Sequence, residues 1–255
     1  QLTAALSGLR GKVERKAEPA EVHVSGRSVE VEPDVTGREL DIESTRVALA
    51  EAVLDLSRNA VPLQVREVRA SPTFDDLRHI DRVLGTYSTD YDAGETNRAG
   101  NIALAVSSIT CALLAPGERM SYNKLVGERT VERGYKLAHV YEAGEVRDGR
   151  GGGICQVSTT LYNAALLSGL NVVERTPHMM PVGYVPTGRD ATVDYATNID
   201  LVIENNLPHA VYLLSSADGG RIACSFLGAS EDCPEKVDIV RSAAKSYDYE
   251  KVEVK

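Results

Sequence analysis

The chain has 255 residues, 43% hydrophobic and 25% charged, with 21 Gly and 10 Pro, which excludes a disordered chain, a collagen-like chain and a small disulfide scaffold. A formal net charge of -9 without a Lys/Arg cluster argues against nucleic acid as a partner, and 5% aromatics with no Trp argue against a stacking platform. No window of about eighteen apolar residues reads as a membrane span; the chain starts at Gln1, so a fragment or processed form is expected, and membrane contact only through an N-terminal anchor that it has lost.

Residues 1–20, with Lys12, Glu14, Arg15, Lys16 and Glu18, read as a polar, frayed segment. Val22, Val24, Val29 and Val31 alternate with polar residues around Ser25-Gly26-Arg27, which predicts a two-strand element. Asp41 or Ser44 is placed to cap a helix of about four turns, with Leu49, Val53 and Leu56 on one face and Asn59 at its end. Val61 to Val68 then returns as a strand, and the polar stretch Thr73 to Asp81 reads as a linker. This gives a small β-α-β module over 21–82.

A second unit is expected over 86–230. Asn97 is placed to cap a helix with Ile102, Ala105, Val106, Ile109 and Leu113 on one face, stopped by Pro116-Gly117. After a loop expected over Asp148-Gly149-Arg150-Gly151-Gly152-Gly153, Cys155 to Ser168 reads as a helix that faces inward through Val157, Leu161, Ala164 and Ala165. Short strands are predicted at 172–173, 182–185, 192–195, 201–203, 211–214 and 222–226, separated by turn residues. The layout is α+β, with a Cys-bearing helix packed on a mainly antiparallel sheet. Residues 231–255 are expected to add an edge strand or a linker.

Chemistry concentrates at Cys155. A thiol at a helix start meets unpaired amides and the positive end of the helix dipole, which favour the thiolate nucleophile. Gly152 and Gly153 permit close approach, and amides from Gly153 to Gln156 are placed to bind an oxyanion. His178 follows as a base, and Asp190, on the partner strand of a hairpin, as its orienting acid, with Asp200 and Asn163 as alternatives. The plain readings are a small buried hydrophobe for Cys155, a satisfied semi-buried His178, and an Asp190 that closes a turn. Cys111 and Cys224 read as core. His139 and His209 show no partner. All four cysteines are expected to be free thiols, with a Cys224–Cys233 pair as the alternative. No HExxH, GxSxG or phosphate loop is present, and neither metal nor cofactor is expected.

Several blocks are recognisable together. They are Pro116-Gly117-Glu118-Arg119-Met120-Ser121-Tyr122-Asn123, Val126-Gly127-Glu128-Arg129-Thr130, Gly151-Gly152-Gly153-Ile154-Cys155-Gln156-Val157-Ser158-Thr159-Thr160-Leu161-Tyr162-Asn163-Ala164, Glu174-Arg175-Thr176-Pro177-His178, and Tyr184 to Val193. In this order they resemble the VanW family over about Tyr87 to Gly228. Residues 21 to about 72, with Gly37-Arg38-Glu39-Leu40-Asp41, resemble the peptidoglycan-binding module that often precedes that domain.

The resemblance implies a surface or cell-wall protein of a Gram-positive bacterium, and the family takes its name from a gene in a glycopeptide-resistance cluster. It implies an L,D-transpeptidase that links third residues of peptidoglycan stem peptides through a Cys155 thioester, with His178 as base. It implies substrate contacts from Asn123, Arg129, Tyr184 and Ser158. A cysteine peptidoglycan hydrolase and a non-catalytic wall- or glycopeptide-binding protein are the alternatives. Where the family pattern expects a small polar residue after the histidine, Met179 stands. A groove at Cys155 flanked by Arg129, Arg150, Arg175 or Arg189 is expected, because wall polymers are often anionic.

Overall fold

The computed structural model describes residues 2–54, 60–142 and 145–240, with side chains at all of these except 139–142, 145–148 and 150. Leu56, Asn59, the side chains of His139 and Arg150, and the weak alternation near Val252 lie outside the described residues. The N-terminal part runs α1 (Leu2–Ser7), α2 (Arg10–Val13), β1 (Glu21–Ser25), β2 (Ser28–Glu32), β3 (Gly37–Leu40), α3 (Ile42–Leu54) and β4 (Val65–Val68). It continues through α4 (Phe74–Leu77), β5 (Arg82–Asp90), α5 (Thr96–Ile109), β6 (Ala112–Leu114), β7 (Arg119–Ser121) and α6 (Tyr122–Val126). Then come β8 (Leu137–Glu142), β9 (Glu145–Arg150), α7 (Ile154–Leu167), β10 (Asn171–Glu174), β11 (Val202–Glu204), β12 (Val211–Asp218) and β13 (Arg221–Gly228). None of the helices is long and apolar enough to cross a membrane among the described residues.

The main sheet has six strands in the order β1-β2-β5-β13-β12-β6, antiparallel throughout. A three-stranded antiparallel sheet, β10-β11-β7, flanks it. The period of two sorts the strand residues between two cores. On β13, Ile222, Cys224 and Phe226 are fully buried on the face covered by α5 and α7. Leu227, the next residue, points by the same alternation to the opposite face, where it meets Val29, Leu77, Ile80 and Tyr212. The α+β layout expected from the sequence is what the chain adopts.

Helix α7 buries Val157, Leu161, Ala164 and Ala165 as its spacing predicts. It comes so close to β5 that a Cβ on Gly85 would lie 2.6 Å from the Leu167 carbonyl carbon and the Ser168 nitrogen. Only glycine leaves room for that approach. Helix α5 buries Ile102, Ala105, Val106 and Ile109 but ends there, earlier than expected. Cys111 takes a left-handed φ of 65°, and Leu113 belongs to β6, paired with Tyr212.

Other expectations are corrected. Residues 1–20 carry α1 and α2, not frayed chain, and α1 buries Leu6. The segment 73–81 is no linker: Thr73 caps α4 in a capping box, and Leu77 and Ile80 are core. Asp41 caps α3 by accepting from the Ser44 N–H at 2.9 Å, yet the buried residues of α3 are Thr45 and Ala52, while Val53 is 74% exposed. The hairpin of β1 and β2 joins the main sheet through Ser28 and Arg82, whereas β3 and β4, antiparallel neighbours, stand apart with α3. Residues 182–185 form no strand, and 192–195 contribute only isolated bridges. Cys111 is exposed, not core, and His209 has partners, Asp232 at 3.1 Å and Glu231 at 3.2 Å. The four cysteines are free thiols. After β13 a 3-10 turn, Ser230–Asp232, leads into irregular chain.

Candidate active site

Gly153 starts α7 with φ 102°, and a Cβ there would lie 2.7 Å from the Ile102 side chain. Conformation and space both demand glycine. The turn that follows puts Cys155, partly buried, in the first turn of a fourteen-residue helix. Its Sγ lies 3.5 Å from Thr192 Oγ1 and 3.5 Å from the Val193 carbonyl oxygen.

The polar residues that follow Cys155 fix the opposite wall. Ser158 donates to the Ala191 carbonyl at 2.7 Å. Thr159 accepts from the Ala191 N–H at 2.9 Å, and Asn163 donates to the Arg189 carbonyl at 2.8 Å. All three are fully buried. The helix thus grips the backbone on both sides of Asp190. A buried polar side chain must find a partner, and here the partners are the main-chain groups of the loop that carries the acid.

That loop brings Asp190 to His178. Asp190 Oδ2 accepts from the His178 backbone N–H at 2.6 Å and is 2.7 Å from Nδ1. With Nδ1 so engaged, Nε2 is left for the sulphur, and the imidazole and the thiol influence each other's charge. The histidine and aspartate are not on a hairpin as expected; a single bridge, Thr176 with Thr192, brings their loops together.

The electrostatics follow from this chain of contacts. Burial opposes the Cys155 thiolate, but hydrogen bonds to His178, the Val193 backbone and Thr192 outweigh it and hold the thiol below its ordinary value. Burial likewise opposes the imidazolium, and the Asp190 and Cys155 hydrogen bonds overcome it, so His178 is pushed up to about 9. Asp190 is held below the usual carboxylate range, because its bonds to His178 outweigh its burial. The two shifts run in opposite directions, the thiol down and the imidazole up, because each charged form favours the other.

Around the pair, the Ile154 N–H is bonded to the Gly151 carbonyl and the Gln156 N–H to the Gly153 carbonyl. The Cys155 N–H makes no hydrogen bond among the described residues. The free amide at the helix start is therefore that of the cysteine itself, whereas the Gln156 N–H is already taken by the Gly153 carbonyl. The Gln156 side chain is buried and spans Asp90, Thr89 and Arg98. The Gly152 carbonyl accepts from Asn101 at 3.3 Å.

The residues expected to contact substrate separate into two sets. Ser158 is beneath the site, not in it. Asn123 is 5% exposed and fully engaged, donating to Asp194 and Ile199 carbonyls and accepting from Arg129. Arg129 and Tyr184 are partly exposed beside the glycine loop and the thiol. A Cβ on Gly151 would lie 3.1 Å from Arg129 Cγ, and the Arg129 guanidinium lies 5.8 Å from the Tyr195 ring centre. Burial, and then the charge at Cys155, push the Tyr184 phenol well up.

Of the alternatives to Asp190, Asp200 accepts from Ser121 and from the Asn123 and Leu201 N–H groups, and Asn163 binds the Thr159 and Arg189 carbonyls. Arg189 is bound to Asn163 at 2.6 Å and lies over the Tyr87 ring. Met179 is 87% exposed. Sequence reasoning missed Arg98. It binds Gln156 at 2.6 Å, and its Cγ lies 3.3 Å from the position of a Gly153 Cβ. Its partner is far along the chain, so no local pattern marks it.

Comparison with known proteins gives two family matches. Residues 97–227 match the model described as "VanW like protein", and residues 1–61 match that described as "Putative peptidoglycan binding domain". YoaR, an uncharacterized protein of Bacillus subtilis (strain 168), is 38% identical over 161 residues, which cover 62% of this chain and 53% of that protein. The vancomycin B-type resistance protein VanW of Enterococcus faecalis (strain ATCC 700802 / V583) is 25% identical over 189 residues, 69% of this chain and 68% of that protein. The chain thus spans about half the length of the Bacillus relative. No solved structure matches it significantly.

Proposed function

The chain belongs to the VanW-like family, and from that premise we propose that it is a cell-wall-associated cysteine acyltransferase acting on peptidoglycan stem peptides, an L,D-transpeptidase. The observation that carries this reading is the contact chain Cys155–His178–Asp190 at the start of α7. The family and the N-terminal module support the wall; the triad supports acyl transfer.

The Cys155 thiolate attacks the carbonyl carbon between the third and fourth stem residues. A carbon–sulphur bond forms, and the oxyanion develops toward the Cys155 N–H. The intermediate collapses with cleavage of the carbon–nitrogen bond, and His178 gives its proton to the leaving D-amino acid. The side-chain amine of a second stem then attacks the thioester. His178 takes its proton, the amide forms and the thiolate returns. Arg98 and Arg129 flank the glycine loop and supply positive charge for the carboxylates of the stem.

The test is mass spectrometry of products after incubation with purified tetrapeptide-stem muropeptides. We expect a dimer that has lost one terminal D-amino acid, made by the native protein and absent with Cys155→Ala. A tripeptide without dimer would replace transfer by hydrolysis. Unchanged substrate across lysine- and diaminopimelate-containing stems would favour a wall-binding protein without turnover.

A further inference from the structure

We propose that Arg175 is a positioning residue for the Cys155–His178 pair: its guanidinium clamps Asp190 so that one carboxylate oxygen stays aimed at the imidazole. The inference rests on the reading of Cys155 and His178 as the reacting pair.

Arg175 directly follows β10, and Thr176, bridged to Thr192, and Pro177 separate it from His178. Its Nε donates to the Asp190 carbonyl at 2.7 Å, and its Nη2 donates to the Gly188 carbonyl at 3.2 Å and to Asp190 Oδ1 at 3.3 Å. The guanidinium carbon lies 5.3 Å from the Tyr162 ring centre, which sets the plane of the fork. The two carboxylate oxygens therefore have separate tasks. Oδ1 is held by Arg175, and Oδ2 takes both the backbone N–H and Nδ1 of His178. Without the fork, the carboxylate is free to rotate about its last bond, and the Asp190 carbonyl loses its donor, while α7 still holds the backbone on either side. The side chains of Asp190 and Arg175 are only 9% and 21% exposed, so water does little to substitute for the clamp.

The sign of one titration separates positioning from simple charge. The titratable groups facing His178 are Cys155 from α7 and Asp190 from its own loop, with the Tyr184 phenol beside both. As a bare positive charge, Arg175 would oppose the imidazolium, and its removal would raise the His178 midpoint. As a clamp, it sustains the bond from Asp190 to Nδ1, and its removal lowers that midpoint.

The experiment is an NMR titration of the His178 ring proton in the native protein, Arg175→Gln and Arg175→Lys, with His178→Ala for assignment and thermal melting as a folding control. The native midpoint is expected near 9. Both Arg175 variants should lower it by about one pH unit, because lysine keeps the charge but cannot bridge the carbonyl and the carboxylate. An unchanged or raised midpoint in a folded variant would overturn the clamp, as would full rescue by lysine. If Arg175→Gln does not fold, Arg175→Lys alone decides. A native midpoint near the ordinary 6.5, indifferent to Cys155→Ala, would instead overturn the reading of the pair.

Discussion

His178→Ala should reduce cross-linked product by roughly 10²- to 10⁴-fold, since it removes both the group that holds the thiolate and the acid that protonates the leaving amine. The effect has a pH signature. The active pair exists above the depressed value of Cys155 and below the His178 value of about 9. Native turnover should therefore begin below the ordinary thiol value of 9.0 and fall as pH rises through about 9. In His178→Ala the rise should move toward the ordinary thiol range. Alkylation of Cys155 at neutral pH, read by peptide mass spectrometry, should slow by about tenfold or more, because an unassisted thiol is only a few per cent ionised there. Equal alkylation rates in the two proteins would contradict the ion pair.

Asp190→Asn keeps the shape and removes the charge. The asparagine is able to donate to Nδ1, which favours the tautomer that carries its proton on Nε2, the nitrogen facing the sulphur. Turnover should drop on the order of 10²- to 10⁴-fold, and the high-pH limb should move down from about 9 toward 6.5. The sign is fixed by the direction of the His178 shift. A raised imidazole value means that Asp190 stabilises the charged form, and its loss must lower that value. A stopped-flow or product-based pH profile of the variant checks both, and a limb left near 9 would contradict the account.

Much of this arrangement was legible from residue spacing. The inward stripe of α7 was written in Val157, Leu161, Ala164 and Ala165, and the glycine run marked the helix start that presents Cys155. His178 and Asp190 were marked as partners, although by a hairpin that does not form. What spacing conceals is the direction of polar side chains. Ser158, Thr159 and Asn163 look like an exposed or substrate-facing helix surface, yet they are buried against the backbone of 189–191. Asn123 misleads in the same way, because a buried amide bonded on every side has the composition of a binding residue. Arg98 left no trace, since its bond to Gln156 depends on how α5 crosses α7. The stretch 73–81 failed for a different reason: two apolar residues, Leu77 and Ile80, are enough to seat it in the core, and that is too few to make a period.

The most direct test of the central claim is capture of the thioester. The protein is mixed with a tetrapeptide-stem fragment, quenched in acid and weighed intact, with Cys155→Ala in parallel. The account predicts an adduct equal to the fragment less its terminal D-amino acid, mapped to Cys155, lost on treatment with hydroxylamine and absent from the variant. An adduct at another residue, or cross-linked product still formed by Cys155→Ala, would contradict it.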